Sequence, residues 1–453
     1  MTNQELAYLG LFEVRELLRR KELSAVELVE AQLARIEAIQ PRLNAFITVA
    51  AEEARLEARA ADRDAAAGLF RGPLHGVPLT IKDVIWTRAV RTTSGSKILS
   101  DFVPATDAPV VAQLRRAGAI LLGKTNLHEF AFGVSNLNPH YGAARNPWDG
   151  ERICGGSSGG SAAALAAGAG YGSIGTDTGG SIRIPSALCG TVGLKPTYGR
   201  VSRRGVTPLA WSLDHVGPMA RRVEDVALLF EVLAGPLGEP LPELPVGLRL
   251  GIPSRYFFEN CDPEVERAVQ TAIADLEGLG LRPVEVSIPE VEQQGAVRNV
   301  IAFAEAASFH DRWIRERPQD YGSDVRESLR LGKLVLATEY LAAQRARRRI
   351  LAAFQSAFQS VDVFISPAVP TTAPRIGDSE LPNGEPLRPG LLRLPSPFNT
   401  VGYPAVAVPC GLSSAGFPIG LQLAAPPWRE GRLLQVAYAY ERIHSWWKNR
   451  PQV

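Results

Sequence analysis

Residues 155–190 read GGSSGGSAAALAAGAGYGSIGTDTGGSIRIPSALCG, and no other stretch constrains the fold so tightly. A Gly-Ser loop leads into a helix of very small residues, then a short strand, then a second Gly-Gly-Ser turn. Glycine admits backbone angles closed to other residues and lets the main chain approach a ligand closely. The Ala-rich helix over 161–167 can pack with its backbone near its neighbours, so two serine loops can meet at one place. Three readings compete. A flexible linker would be repetitive, whereas Leu165, Ile174 and Ile182 interrupt this segment. A phosphate-cradling loop would carry the dinucleotide fingerprint or a Gly-Lys-Ser/Thr, and Gly168, Gly170 and Gly172 satisfy neither. The third reading is a nucleophile, Ser181, in a turn whose N–H groups at Thr178, Gly179 and Gly180 converge on one oxygen.

A serine nucleophile needs a base. Six histidines are present, and none has a sequence context that ties it to Ser181. The Gly-x-Ser-x-Gly elbow is absent around Ser181. Lysine is an allowed base, and Lys82 is well placed. Val77, Leu79 and Ile81 alternate with Pro78, Thr80 and Lys82, a strand period that puts Lys82 near a strand end. Asp83 beside it either orients the lysine or caps a turn. Cys154 and Cys189 flank the site as small apolar fillers. The four cysteines form no C-x-x-C pair, which argues against a zinc or redox motif.

The rest of the chain alternates helix and strand. Ser24 and Glu27 form a capping box for a helix over 24–40, with Leu23 and Leu28 as its staple and Pro41 closing it. Residues 45–63 read as a second, Ala-rich helix. A helix over 108–117 precedes a strand at 119–122. A proline-rich stretch at 235–245 is followed at once by a strand at 248–252, and Asp262 caps the next helix. Residues 293–360 read as a helical covering layer and 370–398 as loop. Strands at 406–409 and 419–423 precede a last helix from Leu433. This pattern predicts an α/β fold, a central mixed sheet covered by helices on both faces. We read 1–453 as one domain, with a core at about 70–230 and a more variable, mainly helical region at about 240–360. Net charge is +2 from 49 basic and 47 acidic residues, which calls for neither nucleic acid nor an anionic membrane. The basic run Arg345, Arg347, Arg348 and Arg349 reads as a solvated helix face. The N-terminus lacks a signal-peptide pattern, and the low cysteine count suits a reducing cytoplasm.

Several motifs together resemble the amidase signature family: GPLHGVPLTIKD at 72–83, NLHEFAFGVSNLNPHYGAARNPWD at 126–149, the 155–194 segment, SLDHVGPMARRVEDVALL at 212–229, NTVGYPAVAVPCG at 399–411 and GFPIGLQLAAP at 416–426. The resemblance implies the amidase signature fold and a Ser–cis-Ser–Lys triad. Its nucleophile falls on Ser181 and its base on Lys82. The bridging serine falls on Ser157, preceded by a cis peptide. The oxyanion would rest on the backbone of Thr178, Gly179, Gly180 and Ser181. Ser158, Asp177 and Arg183 are supporting residues. No metal or organic cofactor is implied.

GRVSRRGVTPLAWSLDHVGP at 199–218 is similar to the amide-hydrolysing component of glutamine-dependent tRNA amidotransferases, their A component. Two positions depart from that pattern. Arg429 stands where an acidic residue receives the glutamine amino group, and Ile184 stands where glutamine is frequent. The expectation is therefore a stand-alone amidase for an apolar or aromatic amide, with ester, anilide or carbamate (urethane) hydrolysis beside it. Its only partners would be a small-molecule amide or ester and, as oligomer, a second copy in a homodimer, with no nucleic acid and no membrane. Phe130, Phe132, Trp211, Phe398 and Tyr403 are candidate pocket aromatics, each as readily core. The alternatives are the glutaminase component of such an amidotransferase and a catalytically silent binding subunit.

Overall fold

The computed structural model describes residues 1–453. Thirteen strands form: β1 Phe46–Val49, β2 Pro78–Lys82, β3 Ile120–Thr125, β4 Arg145–Asn146, β5 Asp149–Ile153, β6 Ser173–Asp177, β7 Val192–Lys195, β8 His215–Ala220, β9 Arg249–Pro253, β10 Arg282–Val286, β11 Val363–Pro367, β12 Ala405–Leu412 and β13 Pro418–Ala424. All but the β4–β5 hairpin join one sheet in the order β1-β3-β2-β6-β8-β7-β12-β13-β11-β9-β10. Pairing is parallel at β3-β2-β6 and at β11-β9-β10, and antiparallel elsewhere, including the edge pair β1-β3. The sheet is mixed, with helices on both faces. Every residue of β2, β6, β7, β8, β11 and β13 is buried, as expected of strands covered on both sides.

Helices Ala25–Leu43, Val223–Ala234, Pro263–Gly278 and Glu430–His444 pack into the main apolar core. Helices Gln294–Phe309 and Ala337–Ser360 close a second core around Phe354, Phe364 and Phe398. Arg345, Arg348 and Arg349 face solvent. Arg347 turns inward and donates to the carbonyls of Thr400 at 2.6 Å and Ser212 at 3.0 Å, so it ties the covering layer to the sheet. No helix is long and apolar enough to cross a membrane.

Three local expectations need adjusting. Ser24 and Glu27 do form the capping box, but the helix runs past Pro41 to Leu43 and ends at left-handed Asn44. Proline's fixed φ suits a helix, and so near the end it forfeits little hydrogen bonding. Residues 46–49, Phe-Ile-Thr-Val, form an edge strand on β3 before the Ala-rich helix Ala51–Ala66 begins. A β-branched and aromatic run prefers a half-buried sheet edge over a helix. The 370–398 stretch contains a short helix, Leu387–Arg393.

Candidate active site

Strands β2 and β6 are parallel neighbours, so their carboxyl ends lie side by side. Crevices at such ends are where open α/β sheets bind ligands. Lys82 ends β2 and is wholly buried. Its Nζ donates to Ser157 Oγ at 2.7 Å and to Thr176 Oγ1 at 2.8 Å. Ser157 sits in the loop before the helix Gly159–Ala166, after a cis Gly156–Ser157 peptide bond. Ser181 follows β6 and precedes the helix Arg183–Cys189. The Ser158 N–H donates to the Ser181 carbonyl at 3.1 Å, and Ser158 Oγ donates to the Thr176 carbonyl at 3.1 Å. These bonds lock the two serine loops together.

The Ser181 turn is built around Asp177. Its carboxylate accepts from the N–H groups of Gly180 at 2.7 Å and Ile182 at 3.1 Å. Arg183 donates to the same carboxylate from Nε at 3.1 Å and Nη2 at 3.0 Å. Both side chains are fully buried. Burial alone would raise the Asp177 carboxyl, but Arg183, Lys195 and Asn399 outweigh it and hold it well below the usual carboxylate range. Arg183 and Asp177 therefore shape the turn from behind. The Gly180 N–H is engaged by Asp177, so it is not free to meet a substrate oxygen. Gly180 adopts φ of +130°, and a Cβ there would lie 2.6 Å from Pro395 Cγ. Only glycine fits that position.

Burial lowers the Lys82 ammonium from 10.5 to about 7, against the pull of Asp177 and Asp214. A lysine so tuned is half neutral near neutrality and can accept a proton. Asp83 does not orient it. The Asp83 carboxylate accepts from the Thr93 N–H at 2.8 Å and pairs with Lys124 at 3.6 Å. No histidine side chain hydrogen-bonds Lys82, Ser157 or Ser181; His128 meets Ser157 only through its backbone N–H, which donates to the Ser157 carbonyl at 3.3 Å.

Ser181 opens onto a narrow crevice with about 20 Å³ of free space, whose wall includes Phe132, Gly179, Leu209, Arg298 and Arg388. Of the five aromatic candidates only Phe132 lines it. Phe130, Phe398 and Tyr403 are core residues, and Trp211 lines a neighbouring cavity beside Thr176 and Asp214. Sequence reasoning missed Thr176, Arg298 and Arg388. Arg298 left a signal. It lies on the buried stripe Gln294, Arg298, Ile301, Ala302 and Glu305 of its helix, where a cation is out of place.

A buried lysine–serine pair, with the Ser181 loop bonded to the neighbouring Ser158, lies at the carboxyl end of a mixed sheet, a setting that suits amide hydrolysis. The sequence profile of the Amidase family matches residues 27–434, and the chain belongs to that family, the amidase signature enzymes. It is 43% identical to the A component of Glutamyl-tRNA(Gln) amidotransferase from Geobacter metallireducens, with 98% of each chain covered. Among solved structures, a protein described as an amidase superposes with a TM-score of 0.91 at 37% identity, covering 96% of this chain and all of the other. The A component of Glutamyl-tRNA(Gln) amidotransferase from Thermotoga maritima superposes at 0.80 with 33% identity, covering 98% of this chain and 96% of that one.

These relatives overturn two expectations. The stand-alone amidase for apolar or aromatic amides gives way to the amidotransferase reading, and the partner set of a small molecule without nucleic acid, in a homodimer, gives way with it. The structure supplies the physical reason. Arg429 is 64% exposed, sits 3.9 Å from Glu239 and does not line the pocket, so it repels nothing there. The pocket wall carries two arginines where the stand-alone reading expected a set of aromatics.

Proposed function

We propose that this chain is the amide-hydrolysing component of a tRNA-dependent amidotransferase, with glutamine as the ammonia donor. The observation that carries this is likeness along the full length to proteins of that name, together with a lysine–serine pair at 2.7 Å beside a buried nucleophile. Ser181 attacks the side-chain amide carbonyl. Its proton passes to Ser157 and on to neutral Lys82. The oxyanion rests on the amides of Thr178, Gly179 and Ser181, with Gly180 committed to Asp177. The relay returns the proton to the leaving nitrogen, ammonia departs, and water cleaves the acyl-enzyme. Ser158, Asp177 and Arg183 hold the loops. The whole chain acts as one domain in the cytoplasm, beside companion subunits and a charged tRNA.

The test is reconstitution. Companion subunits co-purified from the source cell, glutamyl-tRNA and this chain should together release ammonia from glutamine and amidate the tRNA. Turnover of aryl amides or esters by the chain alone, with no glutaminase activity on adding companions, would contradict the reading.

A further inference from the structure

The covering layer has an apolar corner that nothing in the chain buries. Helix Ser323–Lys333 turns into helix Ala337–Ser360 through Leu334, Val335 and Leu336. Leu334 is 74% exposed, Leu336 63%, Leu341 58% and Leu331 52%. A single exposed leucine is ordinary, but four within residues 331–341 make a patch, and such patches mark protein or membrane contacts. Cations flank it. Leu341, Arg345, Arg348 and Arg349 follow the i, i+4, i+7, i+8 spacing of one helix face, and Arg330 stands a turn before Leu334 on the other helix. Arg330, Arg345, Arg348 and Arg349 are exposed, and the ion pairs nearby leave them out. Asp311 holds Arg315 and Lys333, Glu316 holds Arg312, and Asp320 holds Arg317.

The chain carries +2 overall, yet residues 326–349 hold seven basic residues against Glu327 and Glu339, a net +5 that leaves −3 for the rest. Glu339 is spent on its own helix, accepting from the Leu336 N–H at 2.9 Å. The even balance of the whole sequence therefore hides a local positive face. We infer that this corner docks the protein on an anionic lipid surface. Leu334 and Leu336 enter the acyl boundary, and Arg345, Arg348 and Arg349 lie on the headgroup phosphates. A bare apolar edge flanked by arginines is the composition of an interfacial element. RNA would satisfy the arginines and leave four leucines in water. A protein partner would need a concave apolar surface to seat so exposed an edge, whereas lipid packs around any shape. This goes beyond the amidotransferase reading, which does not call for a lipid surface.

The test is sedimentation of the full chain with vesicles of phosphatidylglycerol and phosphatidylcholine in equal parts, against phosphatidylcholine alone. The anionic vesicles should carry the chain down, the neutral ones should not, and added salt should weaken the binding. Each cation near an anionic surface contributes about fivefold in partition, so Arg345→Gln, Arg348→Gln and Arg349→Gln together should weaken binding by about 100-fold. Leu334→Ser with Leu336→Ser should weaken it by about tenfold or more. Leu56 and Arg59, both exposed and one turn apart on helix Ala51–Ala66, supply the control: Leu56→Ser with Arg59→Gln should change nothing. None of these residues lines the crevice at Ser181, so every variant should take a fluorophosphonate label on Ser181 at the wild-type rate, which reports an intact fold.

Binding to anionic vesicles that both corner variants lose and the control keeps is the expected result, for the free chain and for the companion-loaded enzyme alike. No binding to either vesicle, equal binding to both, or a control that loses as much as the corner variants would overturn the inference. Two further results would overturn it by reassigning the corner. If companion subunits abolish vesicle binding, and the leucine pair fails to co-purify with them, the corner belongs to a protein partner. If the arginine triple variant loses tRNA and the leucine pair binds vesicles and tRNA like the wild type, it belongs to RNA.

Discussion

Lys82 can serve as a base because its burial outweighs the pull of Asp177 and Asp214. Its pKa of about 7 makes it a proton acceptor above neutrality and an ammonium below. Glutamine turnover, measured as kcat/KM, should therefore rise with pH through a single limb centred near 7. Lys82→Ala should remove the limb and most of the rate, and no single histidine substitution should move it. The same residue sets a stability trend of known sign. Its folded pKa lies below the unfolded value of 10.5, so the unfolded chain binds more protons between about 7 and 10.5. The lysine's penalty is thus complete below pH 7 and fades as pH climbs toward 10.5. Lys82→Met should raise Tm, by more at pH 6 than at pH 9, and calorimetry at the two values would check this. Asp177 acts in the opposite sense, as a stabilising partner. Asp177→Ala strands a fully buried Arg183, a loss of ~3–5 kcal/mol for a broken buried pair, seen as a lower denaturation midpoint and slower Ser181 labelling.

At the scale of elements, the Gly-Ser segment could be read because its chemistry and its backbone demands coincide. A small-residue helix, two serine turns and a strand-end lysine pointed to one site, and Lys82 and Ser157 are indeed in contact. The turn after β6 is the most constrained of these elements. Gly180→Ala should force it to shift, since φ of +130° and a 2.6 Å approach to Pro395 leave no room for a methyl. A strain of roughly 1–3 kcal/mol is expected, read as a tenfold or greater fall in labelling with the global Tm little changed. Other elements escaped the sequence. The edge strand at 46–49 is four residues long, too short for period 2 to stand out beside an Ala-rich helix. The Leu387–Arg393 helix hides in a Pro- and Gly-rich stretch. Arg298 and Arg388 lie 117 and 207 residues beyond Ser181, and only packing of the covering layer brings them to it.

For the whole molecule, the sheet alone does not choose between amidases. A protein described as an amidase superposes better, at a TM-score of 0.91, than the amidotransferase component from Thermotoga maritima, at 0.80. Sequence likeness over 98% of both chains tips the choice toward the amidotransferase. The stand-alone expectation rested on Arg429 and Ile184, and the first of these is a surface residue that does not reach the pocket. The central claim is that Ser181 carries the acyl group of glutamine through the Ser157–Lys82 relay. Its most direct test is to mix the companion-loaded enzyme with glutamine, quench in acid within the first turnover, digest, and weigh the peptide containing Ser181. A γ-glutamyl adduct on Ser181, absent from Ser181→Ala, is the predicted result. Continued ammonia release with the adduct on another residue, or undiminished release from Ser181→Ala, would contradict the account.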